Sequence, residues 1–239
     1  MIFYTFERFS MKRFYKAAIL VTHEAGYLVE LDGREVKTPE KRLNLSPNKA
    51  MAEAICQEWN DQGDKVDPNS MPIAKLQNTA IDRVETRRTD LIDELVKYAG
   101  TDLLCYRAEF PDDLAKRQAD IWQPLLDWVA KTHQVSLKVT TGILHISQDS
   151  AQLARLKTFL QGMDSFRLAA FYNITTLCGS VSVGLNVLGG NLTAEQAWEA
   201  AELDENYQIE QWGIDDEAKI RQDNMKTELN AAVRFLALL

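Results

Sequence analysis

Short apolar runs open the chain, and longer helical stripes follow. "YKAAILVT", "GYLVEL" and "REVKT" read as strands, with Asp32-Gly33 between the second and third. That dipeptide is a strong hairpin signal, because a type I′ turn needs positive φ at both central positions. "RLNLS" alternates again and is a further strand candidate. From Ser46 the pattern changes: Ser46 suits an N-cap, Pro47 the first helical position, and Ala52, Ile55, Cys56 and Trp59 share a stripe. After the polar loop "NDQGDKVDPNS", helices are expected over 73–88, 90–99 and 112–132, the last kinked at Pro124. Leu114, Ile121, Trp122, Leu125 and Val129 share its face. "QVSLKVTTGILHI" is a late strand candidate, with Val135, Leu137 and Val139 alternating. Helices then return over 149–161, 165–188, 193–212 and 216–237, and Thr193 with Gln196 makes a capping box. The fold class is α+β: a small N-terminal antiparallel β domain with its closing helix (1–60), then a larger, orthogonal-bundle-like helical domain (61–239). Residues 1–10 are expected to fray.

One position conflicts with this pattern. If 193–212 is one helix, Ala194, Ala197, Trp198 and Ala201 form an apolar stripe that Ile209 and Trp212 continue. Glu205 then falls near the middle of it, with Gln208 inside and Asp204 about 100° away. An unpartnered buried carboxylate is very costly, so such a site must supply hydrogen bonds, a cation or a raised pKa. Two uses are open. Glu205 is a clamp to Arg83, Arg107 or a free backbone N–H, or it is an acid/base or recognition group.

Composition narrows the choice of partner. The 239 residues are 46% hydrophobic and 26% charged with net charge −8, the balance of a globular chain with no basic footprint for nucleic acid or anionic lipid. The uncharged stretch 168–194 is long enough to span a bilayer, but polar residues and Gly189-Gly190 interrupt it, which favours a buried core helix over a membrane segment. Cys56, Cys105 and Cys178 are widely spaced and odd in number, which suits a reducing compartment. The opening residues lack a signal-peptide cleavage site, and Met11 is a possible second start. The expected location is the bacterial cytoplasm, or the mitochondrial matrix if a leader has been removed.

Catalytic and cofactor signatures fail in turn. There is no GxxxxGK[ST] loop and no GxGxxG after a strand, so no nucleotide site is expected. "GSVSVG" lacks the glycine that a nucleophile elbow needs two residues before its serine. His23, His133 and His145 have no ligand spacing, so neither metal nor cofactor is expected. Cys56 and Cys178 sit in apolar settings, and Cys105 in "DLLCYR" is similar. Trp122 and Trp198 read as core. Trp59 and Trp212 end their helices beside polar loops and are candidates for partial exposure, as interface anchors often are.

Several stretches together resemble one family. They are "KRFYKAAILV", "LDGREVKTP", "EWNDQGDKVDPNSMPIAKLQNTAID", "YAGTDLLCYRAEFPDDLAKRQADIWQPLLDW" and "LDENYQIEQWGIDDEA". From about Lys12 onward the chain is similar to the assembly chaperones of the F1 sector of ATP synthase that attend its α subunit. The W-x-x-Q…MP block (Trp59, Gln62, Met71, Pro72), the TDLLCYR block and the E-x-x-Q-x-x-x-WG block (Glu205, Gln208, Trp212, Gly213) occur in the family's order. The resemblance implies a non-enzymatic holder. It would bind the unassembled α subunit and keep it from aggregating until the β subunit replaces it. It implies partner contact at Glu205, Gln208 and Trp212 with Asp204 and Tyr207 beside them, and a supporting role for Trp59, Met71 and Pro72. The competing readings are an enzyme using buried Glu205 as general acid or base, and an adaptor in which Glu205 is only a clamp.

Overall fold

The computed structural model describes residues 11–239, so the expectation for residues 1–10 lies outside the described residues. The chain forms two compact units. The first takes in the described residues up to Arg88 together with Asp164–Ala170 and Arg234–Leu239; the second is Thr89–Met163 with Phe171–Val233. The class is α+β, with small antiparallel sheets near the N-terminus and a larger helical region after them.

In the first unit the strands are β1 (Met11–Lys12), β2 (Ala18–His23), β3 (Gly26–Leu31) and β4 (Arg34–Glu35). Helix α1 (Lys49–Asn60) and strand β5 (Lys65–Val66) follow. β2, β3 and β4 form an antiparallel meander, and β1 pairs with β5. Asp32 and Gly33 turn the chain between β3 and β4 at φ 49° and 81°, the positive values this hairpin demands. "RLNLS" adds only isolated bridges, Lys37 to Leu43 and Tyr27 to Ser46.

Helix α1 starts later than Ser46 predicts. Asn48 is the N-cap, accepting the Met51 N–H, while the Ser46 hydroxyl donates to Gln77 and its backbone pairs with Tyr27. Ser46 is spent on the sheet, so the next capable side chain caps the helix. Met51, Ala52 and Ile55 then pack into a core with Leu28, Val29 and Ile73. Helix α2 (Pro72–Thr79) runs into a π turn at Ala80–Val84 and then α3 (Glu85–Gly100), which breaks at Arg87 (φ −125°). Residues 61–88 thus group with the first unit, past the break expected at residue 60.

The second unit contains β6 (Tyr106–Arg107), α4 (Asp112–His133), β7 (Thr140–Thr141) and α5 (Ser150–Gln161). Helix α4 runs through Pro124 as one element. The late strand shrinks to Thr140–Thr141, parallel to Tyr106–Arg107. Glutamine side chains take the partner's place along the rest: Gln152 accepts the Ser136 N–H, and Gln148 bonds both N–H and C=O of Lys138.

The uncharged stretch divides into α6 (Ser165–Cys178) and α7 (Val181–Leu188). Gly179 (φ 62°) turns the chain and Ser180 caps α7 by accepting the Val183 N–H. No helix among the described residues is long and apolar enough to cross a membrane. α8 (Ala194–Ala201), α9 (Leu203–Trp212) and α10 (Asp216–Ala237) complete the chain.

α6 and α7 approach closely at Gly184. A Cβ there would lie 2.8 Å from Thr175 Oγ1 and 2.9 Å from Phe171 Cε2, and both residues are fully buried. Gly184→Ala should therefore destabilise by about 1–3 kcal/mol, with overpacking outweighing the ~1 kcal/mol helix-propensity gain. Urea unfolding checks it, and a stabilised variant would refute tight packing at this crossing.

Candidate functional site

Helix α8 stops at Ala201, α9 starts at Leu203, and Glu202 between them sits at φ −96°, ψ 15°. The expected single helix is two. A phase counted from Ala194 does not carry past Glu202, so Glu205 is not in the apolar stripe. Its side chain is 41% exposed, and its Oε1 lies 3.7 Å from Arg221 Nη2. The expectation of a buried carboxylate is corrected. With it falls the reading of Glu205 as a buried general acid or base, and also the internal clamp.

What α9 buries is Leu203 and Tyr207, with Asp204 half-covered beside them. Helix α4 supplies their partners. The Tyr207 hydroxyl donates to Asp113 (3.0 Å), and Gln118 Nε2 donates to Asp204 Oδ1 (2.7 Å). Arg117 Nη1 donates to both carboxylate oxygens of Glu210 (3.0 and 2.8 Å). One step earlier, the Trp122 indole N–H donates to the Ala200 carbonyl (2.8 Å). Gln118 is 1% exposed and also accepts the Ala108 N–H, so both ends of its amide are used. Burial pushes the Asp204 carboxyl up, and the Gln118 bond opposes the shift. Asp204 and Tyr207 thus fasten the helix.

Glu205, Gln208 and Trp212 recur at i, i+3 and i+7, one line along α9. Gln208 is exposed and Trp212 is 78% exposed, so the line faces outward. It presents a carboxylate, an amide and an indole on a helix held by its other side. Gly213 (φ 80°) ends α9 right after the indole.

The earlier block is built differently. Met71 is 4% exposed and precedes Pro72, the first residue of α2. Trp59 stacks edge-on against Tyr15 with centroids 5.5 Å apart, and the Tyr15 hydroxyl donates to the Trp59 carbonyl (2.6 Å). Between them works a residue the sequence reading passed over. Glu58 is 8% exposed, and its two oxygens accept the Ile73 and Ala74 N–H groups, each at 2.8 Å. It caps α2 from another helix, because Met71 offers no capping side chain. Burial pushes its carboxyl up to about 7. Gln62 ties the intervening loop, donating to the Glu58 carbonyl and Ser70 Oγ and accepting the Asp67 N–H. A signal existed: Glu58 follows Ala54 by four and Ile55 by three, on the apolar side of α1.

The TDLLCYR block is likewise internal. Asp102 is fully buried and accepts from Ser180 Oγ, Ser182 N and Leu104 N at 2.7, 2.9 and 3.0 Å. Arg107 donates to the Leu104 and Gln118 carbonyls and lies over the Trp122 ring. Burial pushes the Cys105 and Cys178 thiols up to about 12, leaving them protonated near neutrality. Among the described residues no His, Cys, Asp and Glu grouping could hold a metal ion.

Fold and site define a two-unit α+β protein that presents an open polar and aromatic helix face. Residues 12–130 match the sequence model of the ATP12 chaperone protein family. "Protein atp12, mitochondrial" of Schizosaccharomyces pombe is 28% identical over 233 residues, covering 92% of this chain and 80% of that protein. The crystal structure of Atp12 from Paracoccus denitrificans superposes with a TM-score of 0.91 at 35% identity, covering 95% of this chain and 98% of that one. An aspartate-to-lysine mutant of the same bacterial protein superposes equally well, with a TM-score of 0.91. The chain belongs to the ATP12 chaperone family, a family of F1 ATP synthase assembly chaperones.

Proposed function

We propose that this protein holds the unassembled α subunit of the F1 sector and yields it when the β subunit arrives, and that it is not an enzyme. The observation carrying this reading is the outward line of Glu205, Gln208 and Trp212 on a helix anchored through Asp204 and Tyr207. An indole that is 78% exposed on a firmly seated helix is the kind of anchor that interfaces use. The polar neighbours keep the face soluble when empty and make the contact replaceable. Trp59, Met71 and Pro72 have a supporting role in this reading, by shaping the first unit. The compartment is wherever F1 is assembled, bacterial cytoplasm or mitochondrial matrix.

Co-purification with separately expressed α and β subunits tests the client. Capture of α alone is expected; capture of β alone, or of neither, overturns the assignment. Trp212→Ala and Glu205→Lys should each weaken α capture at least about tenfold while unfolding stability moves by no more than about 0.5 kcal/mol. Unchanged capture by both variants would remove this face from the interface.

A further inference from the structure

Helix α9 is not the sole exposed apolar feature of the second unit. Phe110 is 74% exposed, Ile143 99% and Leu144 76%, and among the described residues no other large apolar side chain save Trp212 is as exposed. Local pairing explains their grouping. Parallel strands β6 and β7 match Tyr106 with Thr140 and Arg107 with Thr141, and the Gly142 N–H then donates to the Arg107 carbonyl (2.9 Å). A Cβ at Gly142 (φ 80°) would lie 3.8 Å from Glu109 Oε2, so the loop that carries Ile143 and Leu144 lies against the segment that ends in Phe110. Helix α4 begins just after, at Asp112.

The α4 and α9 contacts then bring acidic side chains of α9 to the helix that follows this tip. Trp122 meets Ala200, Gln118 meets Asp204 and Asp113 meets Tyr207, so the helices run antiparallel. Arg117 also reaches Glu210, so Asp204 and Glu210 lie against the first turns of α4, the helix that Phe110 precedes.

Charge selects the partner. From Leu192 to Ala218 the chain carries nine Asp and Glu and no Lys or Arg, and Glu109, Asp112 and Asp113 flank Phe110. Three nearby cations are engaged within the chain, Arg117 with Glu210, Arg221 with Glu205 and Lys116 with Asp120, and Lys219 is the first cation past the stretch. Among the described residues Glu109, Asp112, Asp216 and Glu217 carry no ion pair. An apolar landing inside an acidic border attracts a cationic, apolar surface and repels an acidic one.

We propose that Phe110, Ile143 and Leu144 form a second anchor for the client, and that the bound client segment is apolar and rich in Lys and Arg. The proposal rests on the holder reading above. A variant carrying Phe110→Ser, Ile143→Ser and Leu144→Ser tests it, since these exposed side chains contribute little to folding. The full-length triple variant should keep wild-type unfolding stability and lose at least about tenfold in α-subunit capture. In a scan of overlapping α-subunit peptides, wild type should retain those that are apolar and net positive, and added salt should weaken them.

Capture by the triple variant equal to wild type overturns the proposal and leaves the holder reading intact. So does retention of acidic peptides, or binding indifferent to salt. Wild-type self-association that the triple variant abolishes also overturns it, by showing the tip to be a contact between copies. If wild type captures no α subunit, the holder reading fails, and designed basic-apolar peptides against charge-reversed controls still decide the anchor: equal binding, or none, sinks it.

Discussion

Asp102→Ala should lower the unfolding free energy by about 3–5 kcal/mol, because three buried donors lose their acceptor at about 1–3 kcal/mol each with partial relaxation. The donors are the Ser180 hydroxyl, the Ser182 N–H and the Leu104 N–H, and the residue itself is fully buried. They lie on two separate stretches, the turn after α3 and the start of α7, so a single carboxyl holds both ends of the packing. Asp102→Asn keeps one acceptor oxygen and should cost less. Urea unfolding of the two variants measures the difference, and equal values near zero would mean that water or neighbours satisfy the donors unaided.

Glu58 makes stability depend on pH. Its folded-state pKa, about 7, exceeds its ordinary value of 4.5, so the folded protein holds the proton more tightly than the unfolded chain. The group's stabilising contribution is complete below about pH 4.5 and is lost as pH rises through 7. A gap of that size corresponds to about 3 kcal/mol at 1.36 kcal/mol per unit. Burial is the first cause; the bonds from Ala74 and Ile73 and the nearby Arg234 guanidinium oppose it, and Asp61 adds to it. Wild type should therefore lose about 3 kcal/mol relative to Glu58→Gln between pH 4.5 and 7.5. Parallel stability curves for the two proteins would show that Glu58 carries no such shift.

These two carboxylates also mark how far the sequence could be read. Strands, hairpin turn and most helices were legible because they rest on short-range patterns: alternation in "GYLVEL", positive φ at Asp32-Gly33, the Thr193 and Gln196 box. The "QVSLKVTTGILHI" strand was misjudged because side-chain amides from Gln148 and Gln152 supplied bonds that alternation assigns to a neighbouring strand. The site was misread for a sharper reason. Asking whether a carboxylate falls in an apolar stripe is sound only within one unbroken helix. At Glu205 the break at Glu202 had reset the phase, and the answer came out reversed. At Glu58 the helix is continuous and the same question would have found a buried acid. Gln118, Asp113 and Asp204 were beyond reach, since their meaning lies in pairs 86 to 94 residues apart. The family blocks named Glu205, Gln208 and Trp212 together, but not the direction in which they point, which only the helix break decides.

The first unit is closed by the end of the chain: Phe235 is fully buried and stacks on Phe166, and the Asn48 amide donates to the Leu238 carbonyl. Synthesis runs the other way, from N-terminus to C-terminus. Until residues 234–239 have been made, the β meander lacks the pieces that seal its core. A nascent chain of this protein therefore cannot finish its first unit first, and a premature stop before Arg234 would unseal the part that was translated earliest.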